Sequence, residues 1–71
     1  MTYVFIQQNI DKDAQFFTGY YGSFDELVNR HKNIITSCFP AIGKLKSLIE
    51  KQGFYSVLLE EFNLDYRIEI K

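Results

Sequence analysis

Cysteine is nearly missing from this sequence of 71 residues, since Cys38 is the only one. An internal disulfide is therefore excluded, although so short a chain in an oxidising compartment normally carries several. We accordingly expect a cytoplasmic protein. One cysteine and one histidine cannot supply the ligand cluster of a zinc site, and no cofactor motif occurs, so we predict neither metal nor cofactor.

An excess of one charge and a long hydrophobic run are lacking as well. Eight lysines and arginines face nine acidic residues, which leaves a net charge of −1. This balance disfavours nucleic-acid binding by counterion release, a polybasic membrane role and acidic mimicry of nucleic acid. The first apolar run breaks at Gln7 with no basic segment before it, so we expect neither a signal peptide nor a membrane span.

Apolar and aromatic residues are plentiful, at 46% and 17% of the chain. With this length they predict one small domain over 1–71. Below about 70–80 residues a single core rarely supplies more than roughly 3–5 kcal/mol, so such domains usually add a disulfide, a metal or a partner subunit. The first two are improbable here, which leaves a partner subunit.

Two strands joined by a polar turn are predicted at the start of the chain. Segments 2–8 and 15–22 are rich in β-branched and aromatic residues, and a turn-like cluster lies between them. Within that cluster we interpret Asp11, Lys12 and Asp13 as a solvated hairpin turn. A calcium loop is disfavoured because the glycine and distal glutamate of an EF-hand are missing at the required offsets.

Neither of these strands has a wholly polar face. In the first, Tyr3 and Phe5 share one face and Val4 and Ile6 the other; in the second, Phe17 and Tyr21 lie opposite Phe16 and Tyr20. No charge falls between Gln15 and Ser23, so nothing on the second strand discourages pairing with another strand. We therefore predict a homodimer whose interface contains Phe16, Phe17, Tyr20 and Tyr21.

Two other interpretations of these aromatics stay open. They could stack the bases of single-stranded nucleic acid, although the hairpin offers Lys12 alone as a cation. Alternatively, helices cover one face of the sheet and the remaining tyrosines merely lie flat on the surface. A host protein is a further conceivable partner.

Two helices are predicted in the middle of the chain. Ser23 and Glu26 fit a capping box, and apolar residues then follow helical spacing from Phe24 to Cys38. The helix should end before Pro40, which suits the first turn of a second helix that runs to Gly53.

The last third of the chain is less clear. Segment 54–62 matches either a helix or a short buried strand, and we favour a short helix. Residues 66–71 alternate strictly and predict a strand with Tyr66, Ile68 and Ile70 facing inward. The expected fold is α+β, with two or three helices on one face of a three-stranded sheet in which the last strand lies beside the first, at an edge.

Catalytic chemistry finds little support in the sequence, and we predict that the protein is not an enzyme. His31 and Cys38 lie seven positions apart, which on one helix is about 10.5 Å of rise and beyond hydrogen-bond reach. We expect both to serve packing. Glu60 and Glu61 are adjacent and so point in different directions, which favours a solvated boundary over an acid–base pair.

The hairpin and capped helix together, over Phe16–Leu27, give the chain a resemblance to one group of proteins. In this run, in its length and in its Lys/Ile/Asn/Tyr/Phe-heavy composition, the chain resembles small uncharacterised proteins from prophage regions of low-GC Gram-positive bacteria, of the SPbeta prophage type. The resemblance contains no diagnostic motif. It implies a bacterial accessory or host-modulating protein, and no site residues can be transferred from it.

Overall fold

The computed structural model of this protein describes residues 1–10 and 15–71, with only the backbone at 15 and 16. It is an α+β fold whose elements follow the chain as strand β1 (Tyr3–Asn9), β2 (Gln15–Tyr21), helix α1 (Phe24–Arg30), α2 (Lys32–Cys38), α3 (Ile42–Gln52), β3 (Phe54–Leu59), a 3₁₀ turn (Glu60–Phe62) and β4 (Leu64–Ile70). The predicted turn at Asp11, Lys12 and Asp13 lies outside the described residues.

The four strands form one antiparallel sheet in the order β2-β1-β4-β3. The predicted hairpin is confirmed, and so is the position of the last strand beside the first, where Tyr3 pairs with Ile70. The prediction of a three-stranded sheet is wrong. A fourth strand pairs with β4, so the chain's last strand is central rather than at an edge.

This fourth strand comes from segment 54–62, for which a helix was the favoured prediction. Phe54–Leu59 is extended, and only Glu60–Phe62 forms a helical turn. Alternate residues of this segment lie on the helix-covered side of the sheet and pair with β4, namely Tyr55, Val57 and Leu59. The strand period of two residues therefore describes the segment better than the helical period of 3.6. The connection ends at Asn63, which adopts the left-handed conformation (φ 58°) that asparagine tolerates in tight turns.

The first predicted helix is also divided. It begins as expected, with the Ser23 Oγ accepting from the Glu26 amide at 3.2 Å, although no described contact shows the return bond from the Glu26 side chain. His31 then leaves helical geometry (φ −120°, ψ 34°) and separates α1 from α2. Asparagine and histidine have low helix propensity, and three of them occur at positions 29, 31 and 33.

The core lies between the helices and one face of the sheet. From the sheet it takes Tyr3 and Phe5 of β1 and Tyr66 and Ile68 of β4, all buried; from the helices it takes Phe24, Leu27, Val28, Ile35, Leu45 and Ile49, with Phe39 from the connection. Among the described residues, no helix packs on the opposite face. Because side chains alternate along each strand, that open face carries Val4, Ile6, Tyr20 and the charged residues of β4.

Candidate interface at strand β2 and the adjoining cleft

The structure divides the predicted interface residues between two faces of one edge strand. Tyr20 points to the open face and is 66% exposed, whereas Phe17 and Tyr21 lie on the helix-covered side. Phe17 is 42% exposed and Tyr21 is half-buried. The backbone of Phe16 lies in β2, but its side chain is outside the described residues.

Strand β2 lies at an edge of the sheet, and β1 is its one neighbour among the strands that the structure describes. No charged residue occurs between Gln15 and Tyr21, so the charges with which proteins usually guard an edge are missing. The other edge is β3, Phe54–Leu59, which also lacks charge. Arg67 and Glu69 lie on the central strand β4 and therefore protect neither edge.

The open face mixes apolar and charged residues. One row across the sheet runs Tyr20, Val4, Glu69 and Phe54, and the next runs Thr18, Ile6, Arg67 and Ser56. Arg67 donates from Nε to Glu69 at 2.8 Å, and its guanidinium lies 4.1 Å from the centre of the Phe54 ring. Arg67 is therefore already engaged by a carboxylate and an aromatic ring.

Thr18 on β2 carries a buried hydroxyl that has no hydrogen-bond partner among the described residues. A buried polar group without a partner costs roughly 1–3 kcal/mol of desolvation. Thr18→Val keeps the shape and removes the hydroxyl, so we expect the free energy of unfolding to rise by about 1 kcal/mol in urea melts. Thr36 is the matched control, because its hydroxyl donates to the Lys32 carbonyl at 2.5 Å and Thr36→Val should not stabilise. Equal effects of the two substitutions would contradict this account.

The half-buried residues of β2 meet the junction of α1 and α2 at a cluster of rings around His31. The Tyr21 hydroxyl lies 2.7 Å from His31 Nε2. The imidazole stacks on buried Phe5, with ring centres 4.1 Å apart and planes at 15°, and Phe17 meets it edge-on at 5.4 Å. The departure of His31 from helical geometry accompanies this packing against the sheet.

Gly19 makes room for the Tyr21 ring. A Cβ at position 19 would stand 2.6 Å from the Tyr21 hydroxyl oxygen and 2.9 Å from a carbon of the Tyr21 ring, closer than real Cβ atoms come. Glycine therefore leaves room for the phenol to lie over residue 19, on the same face of the strand, where its hydroxyl reaches His31. Burial, with a smaller contribution from the neighbouring Arg30 charge, lowers the pKa of His31 below its usual value near 6.5, so the imidazole is neutral at pH 7.

Beside this cluster an open cleft of about 510 Å³ is lined by Phe17, Gly19, Tyr20, Tyr21, Arg30 and His31. Arg30 is exposed and makes no hydrogen bond or ion pair in the part of the chain that the structure describes. The cleft thus combines aromatic walls, a phenol–imidazole hydrogen bond and one unpaired cation.

The remaining residues considered from the sequence lie elsewhere. Cys38 is half-buried against the core near Tyr66, and burial is the main cause that raises the pKa of Tyr66. The described partner of His31 is Tyr21, so the structure does not show His31 and Cys38 paired as a dyad. Glu60 and Glu61 are exposed in the 3₁₀ turn, as the prediction of a solvated boundary required. Within 1–10 and 15–71 no three potential metal ligands cluster, and no helix there is long and apolar enough to cross a membrane.

Sequence reasoning missed the Tyr21–His31 hydrogen bond and the Arg67–Phe54 contact. Both join residues that are distant along the chain, ten and thirteen positions apart. A signal for the first was available in Gly19, a glycine inside a strand that often marks a close approach of other atoms. Comparison of the chain with protein-family models, with curated proteins and with solved structures finds no significant match to any of them.

Proposed function

We propose that this protein is a small non-enzymatic interaction module of the cytoplasm that acts as a homodimer. The observation that carries the proposal is the edge strand β2, which is uncharged over Gln15–Tyr21 and exposes Phe17 on one side and Tyr20 on the other. An edge of this kind is a template for addition of another strand. Such a protein suits a prophage-type accessory or host-modulating role.

The expected dimer joins two β2 strands antiparallel about a two-fold axis. A symmetric contact uses the same patch twice, so each exposed aromatic of one subunit meets the same strand of the other. A strand added beside β2 presents side chains on both faces of the sheet, and β2 exposes one aromatic residue on each face. The second edge, β3, exposes Phe54 and Leu58 on the open face alone, which makes it the less suitable partner strand.

A nucleic-acid module, the alternative from the sequence, is less well supported by the open face. Its aromatic residues Tyr20 and Phe54 are accompanied by one arginine, Arg67, which is paired with Glu69 and lies over Phe54. Asp65 of β4 lies on the same face, so the three charged residues of that strand carry a net negative charge there. A stacking site without available cations should bind oligonucleotides only in the non-specific range, with Kd of about 10⁻⁴ M or weaker.

Sedimentation equilibrium tests the dimer directly. Between low and high micromolar concentration the wild-type protein should approach twice the chain mass of 8.4 kDa. Tyr20→Lys places a charge on the proposed interface and should weaken association at least about tenfold. Leu58→Lys is the matched control, because Leu58 is similarly exposed (55%) on the same face but belongs to β3.

Three results would count against the proposal. A wild-type protein that stays monomeric at high micromolar concentration refutes the homodimer. If Leu58→Lys dissociates the dimer and Tyr20→Lys leaves it intact, the contact lies at β3 instead. Micromolar binding of a labelled single strand with a steep salt dependence, measured by fluorescence anisotropy, would favour the nucleic-acid module.

A further inference from the structure

The cleft between β2 and the junction of α1 and α2 has a chemical character that dimerisation does not use. We propose that it is a binding site for a small planar aromatic carboxylate, which Arg30 recognises by charge and the rings of Phe17, Tyr21 and His31 recognise by shape. Phe17 and Tyr20 belong both to the lining of the cleft and to the proposed dimer contact, whereas Arg30 and His31 belong to the cleft alone. The proposal rests on Arg30 and His31 and therefore does not depend on the homodimer.

The argument for an anion starts from Arg30. Its guanidinium is exposed at the cleft, with no bonded partner among the described residues. The acid that could neutralise it, Glu26, lies one helical turn earlier but forms no ion pair within 4.0 Å. A guanidinium fork matches the two oxygens of a carboxylate, and such charge-assisted pairs are about twice as strong as neutral hydrogen bonds.

His31 adds a second polar group. When the Tyr21 hydroxyl donates to Nε2, the neutral imidazole carries its proton on Nδ1, which then acts as a donor. Nδ1 makes no described hydrogen bond and is not among the buried atoms that lack a partner, so it is accessible to solvent. The neutral state of His31 leaves Arg30 as the one cation of the cleft within the described residues.

The argument for a planar aromatic body comes from the walls. Phe17, Tyr21 and His31 present ring faces or edges held at fixed angles by the packing of His31 on Phe5. Aromatic pairs with offset or edge-on geometry contribute beyond the area they bury. A cleft of about 510 Å³ falls within the range typical of small-molecule sites, and Gly19 is among the residues that line it.

The probe is 2-naphthoate, compared with its neutral isostere 2-naphthamide, in a titration followed by ¹H–¹⁵N NMR. We expect saturable binding of the carboxylate with Kd on the order of 0.1–1 mM, with the largest shifts at residues 17–21, 30 and 31, and at least about tenfold weaker binding of the amide. Arg30→Gln should weaken 2-naphthoate binding at least about tenfold, and Arg30→Lys should restore part of that loss.

Glu26→Gln is the matched control on the same helix. It removes a carboxylate one helical turn from Arg30 that forms no ion pair with it, so the affinity for 2-naphthoate should stay the same or rise. Equal affinity for acid and amide, shifts outside the cleft, or an Arg30→Gln variant that binds like wild type would each overturn the site. The affinity for 2-naphthoate can be measured whether the protein is a monomer or a dimer. A monomeric wild-type protein would therefore refute the homodimer and leave the proposal of this binding site unaffected.

Discussion

Replacing Phe5 by alanine is expected to lower the free energy of unfolding by about 3–5 kcal/mol. Phe5 is fully buried on the central strand β1, and the rings of His31, Phe17 and Tyr66 all pack against it, with centres at 4.1, 6.4 and 5.9 Å. The substitution leaves a cavity at the point where sheet, helix junction and cleft meet. In a domain of this size that cost approaches the whole stability expected from one core.

Chemical denaturation followed by circular dichroism measures this effect. Ile6→Ala is the control from the next position of the same strand, because Ile6 faces the open side of the sheet and is only partly buried. Its cost should be well below that of Phe5→Ala. Similar costs for the two would mean that the open face is covered by packing as extensive as that on the helix side.

The parts of the fold that could be predicted are those with strong local patterns. The aromatic hairpin, the capped start of α1 at Ser23 and the alternation of Tyr66, Ile68 and Ile70 each identify their element without tertiary information. The pairing of the first and last strands followed from topology, since a distant strand seldom returns to the second strand of a hairpin.

Segment 54–62 shows where local patterns fail. Its apolar residues satisfy helical and strand periods equally, and the choice depends on whether β4 offers an edge to pair with. Once β3 takes that edge, the charges of β4 no longer lie at the margin of the sheet. The edges of a sheet are properties of the whole topology, so an argument about guarded edges needs the strand order and not only the strands.

The candidate cleft depended on two departures from ideal elements that no short window of sequence contains. His31 interrupts a helix that its neighbours would otherwise continue, and the Tyr21 ring lies over Gly19 with its hydroxyl at His31 Nε2. Of the four predicted interface residues, Tyr20 lies on the open face and Phe17 and Tyr21 on the other. The predicted aromatic strand is thus present, but part of it contributes to the wall of a cleft.

Opposite effects are expected from the same substitution at two glycines. Gly19→Ala should lower the free energy of unfolding by about 1–3 kcal/mol, because the new Cβ displaces the Tyr21 ring and breaks its hydrogen bond to His31 Nε2. Gly43→Ala in helix α3 should raise it by up to about 1 kcal/mol, since alanine has the higher helix propensity and the added Cβ meets nothing within 4 Å beyond its own stretch of helix.

Urea melts of the two variants give the sign of the change in the free energy of unfolding. The NMR signals of the His31 ring report whether its hydrogen bond to Tyr21 is kept. Only Gly19→Ala should change these signals, and it should also weaken 2-naphthoate binding, because the Tyr21 wall of the cleft moves. If Gly19→Ala is neutral and leaves the His31 signals unchanged, the Tyr21 ring does not need the space above residue 19. The hydrogen bond would then be held by the helix junction alone, and the glycine would not be a determinant of the cleft.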